Sequence, residues 1–109
     1  MFNIVYYEDD HGWSPVKEYL LELSAKDRAR VLEFIKRLET GGYTLRRPTA
    51  DSLGGKLGLW ELRPLPHRVI YCFIHRTTIV LLHAFWKKTE KIPQKDIDLA
   101  LARKEQISL

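Results

Sequence analysis

The stretch that decides the fold runs from Leu59 to Trp86: Leu59-Trp60-Glu61-Leu62-Arg63, Pro64-Leu65-Pro66-His67, Arg68-Val69-Ile70-Tyr71-Cys72-Phe73-Ile74-His75, Arg76-Thr77, then Thr78-Ile79-Val80-Leu81-Leu82-His83-Ala84-Phe85-Trp86. Three runs rich in β-branched and aromatic residues are separated by short polar or proline-bearing breaks, the pattern of an antiparallel meander with strands over 59–63, 68–75 and 78–86. The second and third runs are apolar at nearly every position, which places them inside the sheet with both faces at least partly covered.

Turn length sets an expected register. Pairing Arg63 with Arg68 also pairs Leu62 with Val69, Glu61 with Ile70 and Trp60 with Tyr71. Pairing His75 with Thr78 also pairs Phe73 with Val80, Tyr71 with Leu82, Ile70 with His83 and Arg68 with Phe85. Opposed residues share a face and faces alternate along each strand. One face then carries Trp60, Leu62, Val69, Tyr71, Phe73, Val80, Leu82 and Ala84, the side two helices should cover. The other carries Glu61, Arg63, Arg68, Ile70, Cys72, Leu81, His83, Phe85 and Lys87, with its charges gathered where Arg68 lies beside Phe85.

Working outward, Phe2–Tyr7 reads as an opening strand closed by the acidic turn 8–12. Ser14 before Pro15 is an N-cap, and Val16, Tyr19, Leu20 and Leu23 follow at helical spacing. Ser24-Ala25-Lys26-Asp27 resembles a capping box, and Val31, Phe34, Ile35 and Leu38 form the stripe of a second helix ended at Gly41-Gly42. Residues 43–58 read as a connection whose Arg46, Arg47 and Lys56 can reach a ligand. Pro93 opens a tail helix with Ile97, Ala100 and Leu101 on a narrow face, suited to an interaction tail. The expected fold class is α+β, in a single domain over 1–109: a small, mainly antiparallel sheet, made of the opening strand and the meander, packed on two N-terminal helices, with a short C-terminal helix.

Composition limits the function. A chain of 109 residues can bury a core without covalent staples, and its one cysteine, Cys72, makes no internal disulfide and reads as a small buried hydrophobe. No apolar run approaches the ~18–20 residues of a membrane span, and acidic residues 8–10 interrupt any signal peptide. Residues 1–55 hold eight Lys/Arg against nine Asp/Glu, whereas 56–109 hold ten against five, so the net charge of +4 belongs to the C-terminal half. That asymmetry fits an anionic partner or an ordinary solvated basic surface. The four histidines lack metal-ligand spacing, and no phosphate loop or serine-nucleophile motif is present, so no metal or cofactor is expected. Trp13, Trp60 and Trp86 read as packing residues.

Two arginines opposed across a hairpin repel each other. Either Glu61 neutralises them in a solvated ion cluster, or Arg63, Arg68 and Lys87 form a prepared oxyanion site, with bidentate guanidinium forks for phosphate and Phe85 offering a face to a nucleobase. His83 is either a satisfied, partly buried histidine or a proton-transfer group suited to neutral pH.

Leu59–Arg63, Arg68–Tyr71, and Leu81-Leu82-His83-Ala84-Phe85-Trp86-Lys87-Lys88-Thr89 followed by Pro93 and a helix together resemble the RelE/ParE superfamily of toxins, most nearly the phage-derived, HigB-like branch called Gp49-like. The resemblance implies a RelE-like fold and the toxin half of a type II toxin–antitoxin pair. It implies a cytoplasmic protein held by a small antitoxin, often of helix-turn-helix type, through which it can oligomerise, and an activity of mRNA cleavage on the ribosome. Family basic positions fall on Arg63, Arg68, Lys87 and Lys88. Glu61 stands where many relatives carry lysine, and the tail helix lacks a tyrosine that some relatives use.

On this reading Arg63 and Arg68 stabilise developing phosphoryl charge. Lys87, Lys88 and Lys56 hold the RNA backbone, with Arg46 and Arg47 as further loop contacts, and Phe85 stacks on a base. His83 or Glu61 moves the proton; Glu61, beside two arginines, is the weaker base, which favours His83. The alternatives are a gyrase-inhibiting binding module, since the superfamily includes such members, and a phage-derived relic without nuclease activity.

Overall fold

A computed structural model describes residues 1–87 and 91–107. Strands β1 (Asn3–Tyr6), β2 (Ala50–Ser52), β3 (Trp60–Leu62), β4 (His67–Ile74) and β5 (Thr78–Trp86) form one sheet, and helices α1 (Pro15–Glu22), α2 (Ala25–Gly41) and α3 (Gln94–Glu105) pack around it. The sheet order is β1-β5-β4-β3-β2, with β1 parallel to β5 and the remaining pairs antiparallel. The α+β class is as the sequence predicts. The sheet has five strands rather than four, because Ala50–Ser52, read above as connection, pairs with Trp60–Leu62. Three residues with only Ala50 buried are too short to leave a period-two signature.

The helix caps follow the sequence. Ser14 Oγ accepts from Lys17 N–H and Ser24 Oγ from Asp27 N–H, satisfying donors that the first turns leave open. Gly42 ends α2 at φ +45°, a backbone region that favours glycine, and an added Cβ would lie 2.0 Å from the Phe2 ring.

The β3–β4 register and the half of β4–β5 nearest Arg68 are as expected: Trp60 faces Tyr71, Leu62 faces Val69, Arg68 faces Phe85 and Ile70 faces His83. Beyond a bulge between Ile70 and Tyr71 the register moves by one, so Tyr71 faces Leu81, Phe73 faces Ile79 and Ile74 faces Thr78. The expected pairs Tyr71–Leu82, Phe73–Val80 and His75–Thr78 are therefore corrected. The β4–β5 turn takes three residues, with His75 at φ +55°, and the bulge places Leu82 as the extra residue on β5. A one-residue slip exchanges faces, so Ile79 and Leu81, not Val80 and Leu82, join the helix-side core.

That core packs Val16 and Leu20 of α1 and Val31, Phe34, Ile35 and Leu38 of α2 against Leu62, Val69, Tyr71, Ile79 and Leu81. A second core on the opposite face joins Ile70, Cys72, Val80 and Leu82 to Tyr7, Leu59, Ile92 and Ala100, with Ile97 and Leu101 packed alongside. The tail helix is thus the cover of the second sheet face. Of the tryptophans, Trp60 is half-buried and stacks on Tyr71, whereas Trp13 and Trp86 are each about half exposed and depart from the expected packing role. Among the described residues no helix is long and apolar enough to cross a membrane.

Candidate nucleic-acid interface

The charged residues of the second face converge where the sequence places them, but inside the protein. Arg63 follows β3 and Arg68 sits near the start of β4, and one oxygen, Glu61 Oε1, accepts from Arg63 Nη1 at 3.0 Å and from Arg68 Nη1 at 3.2 Å. Relative exposures are 3% for Glu61, 4% for Arg63 and 1% for Arg68. Asp51, opposite Glu61 on β2, turns to Arg47 at 2.8 Å. That hydrogen bond, aided by the charge of Arg63, holds the Asp51 carboxyl below its ordinary range. Among the described residues the cluster holds three guanidinium groups and two carboxylates. Buried ions of this kind persist only when paired and hydrogen-bonded.

Phe85, across from Arg68, is half-buried, and its ring stacks on His83 with centroids 5.3 Å apart. His83 is buried. Its Nε2 lies 2.7 Å from Asp96 Oδ1 and its Nδ1 lies 3.0 Å from Arg103 Nη1, both partners coming from α3. A guanidinium only donates, so Nδ1 is the acceptor and Nε2 carries the proton donated to Asp96. Burial, reinforced by the Arg103 charge and opposed by Asp96, lowers the imidazole pKa from 6.5, so His83 is neutral at pH 7. Arg103 also donates to Leu82 O and lies over the Trp13 ring, closing the proton-accepting nitrogen.

Lys87 is half-buried, its backbone N–H donating to Pro66 O at 2.9 Å. With Lys91, Ile92, Pro93 and Gln94 it lines an open groove of about 530 Å³. Lys88 lies outside the described residues. Lys56 is exposed on the loop that Lys104 ties to α3 through Leu57 O. Arg46 is exposed but spends its guanidinium on Tyr43 O and Leu45 O. Arg47 is likewise committed to Asp51. The structure therefore brings Glu61, Arg63, Arg68, Phe85 and His83 into one continuous cluster, puts Lys87 at its open end, and keeps Arg46 and Lys56 on the loops around it. Among the described residues no three His, Cys, Asp or Glu side chains gather as a metal site.

Asp96 and Arg103 are additions to the sequence reading. With Ala100 they fall at i, i+4 and i+7 of α3, so polar residues at apolar-stripe spacing were the available signal. A second buried imidazole, His67, read above as part of a turn, starts β4. Its Nδ1 meets Tyr19 Oη at 2.7 Å and its Nε2 meets Asp27 Oδ2 at 3.1 Å, joining both N-terminal helices to the sheet. Burial and the nearby Asp27 push the Tyr19 hydroxyl pKa up to about 12. No short-range pattern announces that triad, since its members come from three elements.

Comparison with curated proteins gives no match. The sequence model of the family described as phage-derived protein Gp49-like matches residues 18–105, which include most of α1, all of α2, the whole meander and α3. With that match over most of its length, the chain belongs to the phage-derived Gp49-like family, a group related to the toxins of toxin–antitoxin systems.

Proposed function

We propose that this protein is the toxin of a type II toxin–antitoxin pair and acts as a ribosome-dependent mRNA endonuclease that needs no metal. The observation that carries the reading is the buried Arg63–Glu61–Arg68 cluster on the sheet face that also carries Phe85 and His83, with Lys87 and Lys91 lining a groove past the end of β5. In the reaction the RNA 2′-oxygen bonds to the adjacent phosphorus and the bond to the 5′-oxygen breaks, leaving a 2′,3′-cyclic phosphate and a 5′-oxygen that takes its proton from water. Lys87 and Lys88 hold the phosphate directly. Arg63 and Arg68, sealed below the surface, act as fixed charges that favour the added negative charge of the transition state. His83 Nδ1 takes the 2′-hydroxyl proton once Arg103 transfers its donor from Nδ1 to the incoming phosphate. Positioned general bases of this kind contribute about 10²–10⁴-fold. The cognate partner is a small helix-turn-helix antitoxin, and the site of action is translating ribosomes in the cytoplasm.

The burial of Arg63 and Arg68 and their pairing with Glu61 favour one second reading, a gyrase-inhibiting module that works by protein contacts. Induced expression with primer-extension mapping separates the two. Discrete cuts in translated messages, lost in Lys87→Ala, support the nuclease; growth arrest with intact messages and altered supercoiling supports the binding module.

A further inference from the structure

Phe85, the aromatic that the sequence nominates to receive a base, is half-buried with its ring stacked on His83. Trp86 is 52% exposed at the last position of β5, beside the cationic groove of Lys87 and Lys91. It stands on the opposite sheet face from Phe85, facing His67 in the register.

That His67 is only 3% exposed and is held from both sides by Tyr19 and Asp27, so the strand pair under Trp86 is braced by two helices. The neighbouring turn is fixed too: Lys87 N–H donates to Pro66 O, and Arg30 Nε of α2 donates to Leu65 O. Leu65 is itself 43% exposed. A half-exposed indole and an exposed leucine on a rigid strand end, with Lys87 on one side of the turn and Arg30 on the other, combine an apolar platform with cations. Single-stranded nucleic acid is bound by that combination, because every base has a π-face and every nucleotide a phosphate. Asp27 of α2 is engaged by His67.

We propose that the Trp86 indole, with the Leu65–Pro66 turn at its side, is the stacking platform for a base of single-stranded RNA, and that Phe85 is an internal support. The inference rests on RNA being the ligand, but it concerns binding and is separable from cleavage.

The test is fluorescence anisotropy of a labelled oligoadenylate titrated with wild type, Trp86→Ala, Trp86→Phe, Phe85→Leu and Lys87→Gln, each first matched to wild type in circular dichroism. Trp86→Ala should weaken binding about 5- to 150-fold, the range for losing one stacked base, with an unchanged salt slope. Trp86→Phe should retain most of the affinity, and Phe85→Leu should bind as wild type does. Lys87→Gln should lower the slope of log K against log salt by about 1. Unchanged affinity in Trp86→Ala overturns the platform while leaving RNA as the ligand. Trp86-dependent self-association in sedimentation, with RNA affinity unaffected, overturns it in favour of a contact between copies. No RNA binding by wild type overturns platform and RNA reading together. Trp86-dependent binding without message cleavage upholds the platform and removes the nuclease.

Discussion

Glu61→Gln tests whether the arginine cluster is an interior structure or a solvated surface group. The substitution preserves shape while removing the one carboxylate that both guanidinium groups share, at 3.0 Å and 3.2 Å, in a site where all three side chains are at most 4% exposed. Two buried cations then lose the carboxylate that they share. Breaking a buried pair by removing one partner costs about 3–5 kcal/mol, and near 100 residues each kcal/mol moves Tm by about 4–8 °C, so a fall of about 12 °C or more is expected. The internal comparison is Asp51→Asn, which removes the Arg47 pair one strand away. That pair is largely solvated, and its loss should cost about 0–1 kcal/mol. Urea denaturation at pH 7 in low and high salt reads both, since salt screens the Arg47 pair but reaches a sealed cluster poorly. A loss below about 1 kcal/mol for Glu61→Gln, or one that high salt abolishes, would refute the burial argument and restore a solvated ion cluster.

Four further outcomes follow from the packing and the titrating groups. His83 has its pKa lowered on folding, so it adds stability that is full above the ordinary value of 6.5 and is lost as pH falls from there toward the lowered value; denaturation at pH 7.5 and 5.5 should show that slope, and His83→Gln should flatten it. Leu62→Ala and Leu82→Ala remove fully buried side chains from the two separate cores and should each cost about 2–5 kcal/mol, while the exposed Leu21→Ala should stay within about 0.5 kcal/mol in the same assay. Gly42→Ala combines a left-handed backbone with a clash against Phe2 and should lose more stability than Gly12→Ala, which is also left-handed at φ +82° but has no neighbour within 4 Å and should cost about 1–2 kcal/mol. Tyr19→Phe leaves buried His67 without one partner, for a loss of about 1–3 kcal/mol by denaturation.

Local chemistry made most elements legible. Ser14-Pro15, Ser24 and Gly42 bound α1 and α2 because caps act over three or four residues, and the alternation in 59–63 together with the Pro64–Pro66 turn fixed the β3–β4 register. The bulge at Leu82 was not legible, because Leu81 and Leu82 are both apolar and both find a core, one on each sheet face. The role of α3 was underread for a related reason: its narrow stripe of Ile97, Ala100 and Leu101 looks weak alone, and half of what it supplies is polar, Asp96 and Arg103 on His83. In the site, residue types and strand faces predicted which charges share a surface. Depth was hidden, since no local pattern around Arg63 and Arg68 marks them as buried. Trp86 shows the reverse case, an aromatic read as a packing residue that stands half in solvent.

The most direct test of the functional reading is end-group analysis of message cut by purified protein on programmed ribosomes, with and without EDTA. An attacking 2′-hydroxyl predicts a 2′,3′-cyclic phosphate on the upstream fragment and a 5′-hydroxyl on the downstream one, undiminished by EDTA and strongly reduced in Lys87→Ala. Intact message in the presence of correctly folded protein, or 5′-phosphate ends whose formation EDTA blocks, would contradict it.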